Sequence, residues 1–376
     1  MKLTKRRTGR GKPMKIMEKI MLGRTVFLLI AVVGILILGV VYTIFGTDAD
    51  FSACLNNALP AKSEMPSEPV GHIKEPEYSY ETDTITFGGS CTAGSMLGIA
   101  AYGTFNGTLE EKGEGYFLEH LRKTFLADDF TLAGLDSTLT DRVLTPAEKA
   151  EREWFMAPAS AASIFGESGV DALSLEFAGT RDYGSEGYSD TSSVLEAAGI
   201  QWGDSGKAIY HQLDSGIRIA VYCCRLKPDT AENIRNWIAG AEEKADFVAL
   251  YLMDSGESYE PTEEKTALMR SFIDAGADLV VGTNGTTLQP AEEYNGGYIA
   301  HSLGCLLDGA SLYHEDYTAL LQVELRSRDG KLTGAEYSLI PCHTADGEQT
   351  WKPIPVTDTE NLERVSAFLR GELLKP

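Results

Sequence analysis

Val26–Phe45 reads VFLLIAVVGILILGVVYTIF, twenty residues without a charge. In hydrocarbon, backbone N–H and C=O groups find no water, so one apolar segment of this length satisfies them only as a helix. Such a helix rises about 30 Å, the thickness of a bilayer core. Before it stand Lys2, Lys5, Arg6, Arg7, Arg10, Lys12, Lys15, Lys19 and Arg24 against one acid, Glu18. Positive charge beside a first span holds that flank in the cytoplasm. The sequence therefore predicts a basic cytoplasmic tail over residues 1–24, a single-pass transmembrane helix over 25–46, and an extracellular remainder. A cleaved signal peptide is the competing reading, but the run is long for a signal core and no Ala-x-Ala site follows it. Phe51-Ser52-Ala53-Cys54 has a faint likeness to a lipoprotein cleavage box, separated from the apolar run by Thr47-Asp48-Ala49-Asp50.

Charge divides at the same place. The tail to Arg24 is +8 and the whole chain −22, so the residues beyond it carry −30. A domain this acidic repels nucleic acid and anionic headgroups, which argues against a nucleic-acid partner. It suits a cell surface or cationic partners, although solubility alone accounts for it equally well. The six cysteines, Cys54, Cys91, Cys223, Cys224, Cys305 and Cys342, show no Cys-x-x-Cys spacing and so no structural zinc pattern. A disulfide is permitted outside the membrane. Cys223 and Cys224 are adjacent in an apolar strand, IRIAVYCC, and point to opposite faces, which disfavours their pairing with each other. Buried thiols are the plain reading.

Residues 47–81 are rich in Pro, Glu and Ser and read as an extended extracellular stalk. An α/β domain is expected over 82–345 and a C-terminal extension with a helix over 346–376. β-rich runs at Thr84–Phe87, Phe130–Ala133, Asp171–Leu175, Ile217–Cys224, Phe247–Leu252 and Leu279–Val281 alternate with helical stretches. Those stretches are Tyr116–Leu126, Ala159–Phe165, Tyr188–Ala198, Ala231–Ala241 and Thr262–Ala275. Strand–helix alternation predicts a mainly parallel, helix-covered sheet. Ala319–Ser327 and Leu332–Leu339 around Arg328-Asp329-Gly330 predict a hairpin, and an amphipathic helix is expected near Asn361–Leu373.

Five ordered blocks then carry a resemblance. They read GGSCTAGSMLG (88–98), DDFTLAGLDSTLTD (128–141), DALSLEFAGTRDYGSEGYSDTSSVLEAAGI (171–200), VALYLMDSGESY (248–259) and FIDAGADLVVGTNGTTLQPAEEYNGGYIAHSLG (272–304). In these the chain resembles the bacterial CapA family of capsule and poly-γ-glutamate synthesis proteins, over about 225 residues from Thr84 to Gly309. The resemblance implies a calcineurin-like metallophosphatase-type sandwich of two sheets flanked by helices, preceded by one transmembrane helix. It also implies a membrane-anchored role with capsule-polymer synthase or export subunits and an anionic polymer as partners.

The same blocks depart from the family where its metal ligands stand. Gly-Asp after the first strand is Gly89-Ser90 here, and Asn-x-Glu after the second is Gly134-Leu135-Asp136. Ala-Asn-Asn-His is Glu176-Phe177-Ala178-Gly179, and His-Trp-Gly-x-Glu is Asp254-Ser255-Gly256-Glu257-Ser258. Gly-His-His-Pro-His is Gly282-Thr283-Asn284-Gly285-Thr286, and Ser-Leu-Gly-Asn is Ser302-Leu303-Gly304-Cys305. A two-metal phosphoesterase centre needs imidazoles and bridging carboxylates at strand ends. The six histidines, His72, His120, His211, His301, His314 and His343, all fall outside those slots. Framework residues persist, among them Asp182-Tyr183-Gly184, Gly187, Thr191, Leu195, Gly199 and Asp274–Gly282. Loss at ligand slots with the framework kept is the pattern of a pseudoenzyme, so neither a cofactor nor a metal is expected.

The degenerate cleft positions are thus Ser90, Asp136, Gly179, Asp182, Asp254, Thr283, Asn284 and Thr286. Each has a plain alternative. Asp136 and Asp254 offer oxygens to Ca²⁺ or Mg²⁺, or are solvated loop carboxylates. Ser90 lacks a Gly-x-Ser-x-Gly elbow and a base in sequence reach. Cys91 and Cys305, beside site positions, offer thiolate chemistry or metal binding, or are small buried fillers. Asp182 suits a turn, and His301, following an apolar strand, suits a satisfied near-core position. The leading expectation is a non-catalytic component supporting synthesis, export or anchoring of a capsule or poly-γ-glutamate-type polymer. Its rivals are a hydrolase or polymer-processing enzyme with a rearranged site around Asp136, Asp182, Asp254 and Asn284, and a scaffolding protein unrelated to any polymer.

Overall fold

A computed structural model describes residues 80–96, 104–144, 154–254, 256, 258–283, 286–309, 317–347 and 350–376. The basic tail, the apolar run Val26–Phe45, the stalk to residue 79, Cys54, His72, Asn284 and His314 lie outside the described residues. Among those described, no helix is long and apolar enough to cross a membrane.

The first half of the domain runs β1 (Tyr80–Thr92), β2 (Ser95–Met96), α1 (Phe105–Lys112), α2 (Arg122–Phe125), β3 (Phe130–Leu135), β4 (Thr138–Leu139) and β5 (Phe155–Ala157). It continues with α3 (Ala162–Gly166), β6 (Ala172–Ser174), α4 (Gly184–Ala197), β7 (Gln201–Gly203), β8 (Ile209–Gln212) and β9 (Arg218–Arg225). Then come α5 (Ala231–Ala241), β10 (Phe247–Met253), α6 (Glu263–Ile273), β11 (Leu279–Thr283), β12 (Leu288–Tyr294) and β13 (Gly297–Leu303). The chain finishes with β14 (Cys305–Asp308), β15 (Tyr317–Arg328), β16 (Lys331–His343), β17 (Ile354–Pro355) and α7 (Thr359–Leu369).

Two large sheets result. One has the order β17-β16-β15-β1-β3-β6-β7, with β14 also on β1, and the other β12-β13-β11-β10-β9-β8. Each has a parallel centre, β1-β3-β6-β7 and β9-β10-β11-β13, with antiparallel strands beyond it. A small third sheet joins β2, β5 and β4. The two large sheets agree with the two-sheet sandwich that the resemblance implies. The mainly parallel sheet read from strand–helix alternation is divided between them, because each βα run closes its own parallel core and hairpins extend the edges.

Period-two alternation decides which side chains meet. Phe247, Ala249 and Tyr251 of β10 join Ile85, Phe87, Phe130, Leu132, Val221 and Val281 in the core between the sheets. Val248, Leu250 and Leu252 face the other way, onto Ile234 and Ile238 of α5 and Met269 and Phe272 of α6. The outer face of the larger sheet packs Ala133 and Leu173 against Phe165 of α3 and Leu195 of α4. Strands buried on both faces read as unbroken apolar runs, which is why the central strands are so plain in the sequence. Cys223 belongs to the inner core and Cys224 to the outer layer, as alternation requires. Residues beyond 345 share this core: β17 pairs with β16, and Val365, Phe368 and Leu369 of α7 pack into the space between the sheets.

The stretch expected as a helix over Tyr116–Leu126 is a 3₁₀ turn at Glu114–Tyr116 followed, after irregular turns, by the one-turn α2. Its Phe117, Leu118, Leu121 and Phe125 are all buried, so helical spacing survives where the helix does not.

Candidate functional site: a filled cleft at the strand ends

Parallel strands end on the same side, so the C-terminal ends of β1, β3 and β6, and of β9, β10 and β11, carry the positions that the sequence singles out. Ser90 pairs in register with Gly134 of β3 and Cys305 of β14, and its N–H donates to the Gly304 carbonyl at 3.1 Å. The side chain is buried at 1% exposure. Ser90, Asp136 and Gly179 come together. Asp136 Oδ1 accepts the Gly179 N–H at 2.7 Å, and the Asp136 N–H donates to the Cys91 carbonyl at 2.8 Å. Thr138 Oγ1 donates to the Gly179 carbonyl at 3.0 Å. Asp136 is thus a staple between the end of β3 and the turn Gly179–Arg181, rather than a solvated loop acid. Asp182 follows that turn and is buried, with its N–H on the Gly179 carbonyl at 3.4 Å.

Beside this group two aromatic side chains fill the space. Phe177 and Tyr251 are fully buried between the sheets. A Cβ on Gly134 would meet the Phe177 ring at 2.3 Å and the Tyr251 hydroxyl at 3.0 Å, so only glycine admits the ring there. The Tyr251 hydroxyl donates to the Gly88 carbonyl at 2.9 Å and the Gly89 carbonyl at 3.3 Å. Burial holds it far above the usual phenol range, so it stays a neutral donor.

On the second sheet, the Asp254 N–H donates to the Thr283 carbonyl at 2.9 Å. Asp254 Oδ2 lies 2.8 Å from Lys265 Nζ, which also donates to Gln289 Oε1 at 2.8 Å. Gln289 Nε2 in turn donates to the Ser258 carbonyl at 2.6 Å. Lys265 is only 6% exposed, and burial lowers its pKa against the opposing pull of Asp254. A cavity of about 170 Å³ lined by Leu226, Pro228, Asp254, Thr262, Lys265 and Leu268 adjoins the pair. Thr283 is buried, and its Oγ1 has no hydrogen-bond partner among the described residues. Thr286 is exposed, with Oγ1 3.2 Å from Thr287 Oγ1. Asn284 lies outside the described residues.

Sequence reasoning passed over Arg225, Tyr251 and Lys265, and gave Glu176 and Phe177 only as replacements in a ligand slot. Glu176 Oε2 accepts the Ser205 N–H at 3.0 Å, and Oε1 lies 3.8 Å from Arg225 Nε. The signal for Lys265 was present: with Met269, Phe272 and Ile273 it makes up the buried face of α6, at spacings where a lysine needs a partner.

The donor set decides what the cleft can do. Among the described residues no three His, Cys, Asp or Glu side chains gather as a metal would need. Asp136 is engaged by an amide, Asp254 by an ammonium, Glu176 by an amide and a guanidinium. The dinuclear metal centre that the sequence resemblance implies does not fit the residues described at these strand ends. The Cys91 and Cys305 thiols are buried, and burial pushes both well above the ordinary thiol range, away from thiolate chemistry. His120, His211 and His343 are bonded or stacked elsewhere, on Asp346, Gln201 and Tyr317 respectively. His301 lies within β13 instead of after a strand, and only half of its imidazole is satisfied: Nε2 meets Glu292 Oε1 at 3.1 Å, while Nδ1 has no partner among the described residues.

Comparison with known proteins adds relatives to this geometry. The family model described as "Bacterial capsule synthesis protein PGA_cap" matches residues 84–310. "PGA biosynthesis protein CapA" of Bacillus subtilis (strain 168) is 23% identical over 267 residues, covering 64% of this chain and 70% of that one. "Capsule biosynthesis protein CapA" of Bacillus anthracis is 24% identical over 237 residues, 56% of this chain and 55% of that one. The crystal structure of a hypothetical protein from Thermus thermophilus overlaps 69% of this chain and 99% of its own, with 16% identity and a TM-score of 0.41.

Proposed function

The chain belongs to the bacterial capsule synthesis protein family PGA_cap, and from that premise we propose that it supports synthesis, export or anchoring of a capsule or poly-γ-glutamate-type polymer without itself hydrolysing phosphoesters. In this reading the two-sheet sandwich is of metallophosphatase type. Val26–Phe45 anchors the acidic domain at the outer face of the cell membrane. Polymer synthase or export subunits and the polymer itself are its partners. The relatives' names supply the polymer class. One observation carries the non-catalytic part: Asp136, Asp254 and Glu176 are each bonded to the protein's own N–H, ammonium or guanidinium groups, and Phe177 and Tyr251 occupy the space beside Gly134. A metal-activated water needs open coordination positions and free carboxylates; Asp136, Asp254 and Glu176 are already engaged, and among the described residues no three metal-ligating side chains gather.

The test is genetic. The gene is deleted in a cell that makes the polymer, then restored as wild type or with Ser90→Ala and Asp136→Asn together, two changes that nearly keep the side-chain volumes. Surface polymer should fall on deletion and recover with both restored genes. Unchanged polymer after deletion removes the proposed role. Recovery by the wild type alone, with the variant present at equal level, makes the cleft catalytic.

A further inference from the structure

The Lys265–Asp254 pair is an unusual use of a strand end. Asp254 stands where the family block has the histidine of His-Trp-Gly, at the end of β10, and is 20% exposed in its side chain. Lys265 reaches it from the first turn of α6, which Thr262 caps by accepting the Lys265 N–H at 3.2 Å. The ammonium bonds oxygens from Asp254, just past β10, and from Gln289 of β12, at 2.8 Å each, and Gln289 is steered by the Ser258 carbonyl. An ammonium carries three donors and no acceptor, so a carboxylate and an amide oxygen are the ligands it needs. These are also the donors a hard cation takes. A buried carboxylate without a counter-charge is strongly destabilising. Where a metal-dependent relative would neutralise this edge with a bound ion, this chain carries a covalently attached positive charge.

We infer that the Lys265 ammonium stands in for a metal cation in the cleft, neutralising Asp254 and tying β10 to β12 through Gln289, so that the strand ends are ordered without any ion. This rests on the non-catalytic reading and gives it a mechanism: the cleft has replaced an exchangeable cation by one that cannot leave.

The test uses the full chain in detergent, followed by thermal melting. Lys265→Ala removes the side chain beyond Cβ, which corresponds to propylammonium. The variant should melt lower than wild type by roughly 5 °C or more, because it strands a largely buried carboxylate. Propylammonium chloride should restore a large part of that loss. Tetramethylammonium chloride at equal ionic strength, a cation without N–H donors, should restore much less, and wild type should respond to neither. Combining Lys265→Met with Asp254→Asn should recover most of the stability, since a neutral pair of similar volume needs no counter-charge. If Lys265→Ala does not fold, this double variant decides alone. A Lys265→Ala protein as stable as wild type, one rescued equally by both salts, or a double variant no better than Lys265→Met would overturn the inference. A separate arm adds Mn²⁺ or Zn²⁺ to wild type: a rise in melting temperature with turnover of a model phosphodiester would sink the non-catalytic reading, whatever Lys265 does.

Discussion

His301 is 4% exposed within β13, with Nε2 on Glu292 and Nδ1 unbonded among the described residues. Burial, with the Lys265 ammonium nearby, pushes its pKa down to about 4 against the pull of Glu292. The unfolded value is roughly 6.5, so the unfolded chain takes up the proton first. Stability contributed by the neutral imidazole is complete above that value and is lost as pH falls from it toward 4. The full difference is worth about 3 kcal/mol. Urea midpoints should therefore fall between about pH 7 and about pH 5 in wild type, and fall less in His301→Gln. Equal slopes in the two proteins would assign the effect to other groups. At this scale the sequence was informative about residue identity and poor about partners. Ser90, Gly179 and Asp254 are visibly not the family's ligands. That Asp136 meets an amide and Asp254 an ammonium depends on groups 43 and 11 residues away in the chain, which no local pattern brings together.

Among the elements, turns decided register. Asp329 and Gly330 take φ of +53° and +72°, and the two-residue turn fits the right-handed twist of β15 and β16. The Asp-Gly signal in the sequence was sufficient to place it. Asn295 and Gly296, at φ of +47° and +88°, make the same kind of turn between β12 and β13. That Asn-Gly signal was equally available, but Pro290 and the acids of β12 obscure its alternation. Gly330→Ala should cost about 1 kcal/mol, since an added Cβ disfavours this backbone region. Gly334→Ala, on the same hairpin with open space around the new Cβ, should cost less than about 0.5 kcal/mol. Chemical denaturation of both variants tests this, and equal losses would mean that backbone conformation is not the cause. The failed helix at Tyr116–Leu126 shows the converse. Apolar spacing alone cannot tell a helix from consecutive turns when the segment buries most of its apolar side chains, as Phe117, Leu118, Leu121 and Phe125 do.

For the whole molecule, the +8 tail beside an uncharged span leads us to expect an extracellular domain. Protease added to intact, wall-stripped cells should cut in residues 47–79 and release a fragment that still melts cooperatively. Release only after the membrane is lysed would reverse the orientation. Residues 80–376 lie within a single compact unit. The sequence by itself determined the α/β class, the central strands, the β15–β16 hairpin and the family, because these are written in local periodicity, turn chemistry and ordered blocks. Only the tertiary structure decided which strands each sheet takes, that α7 completes the core between them, and that Phe177, Tyr251, Arg225 and Lys265 fill and neutralise the strand ends. The physical reason is separation along the chain: burial and ion pairing are set by which distant strand ends converge, and a residue's neighbours in sequence do not specify that.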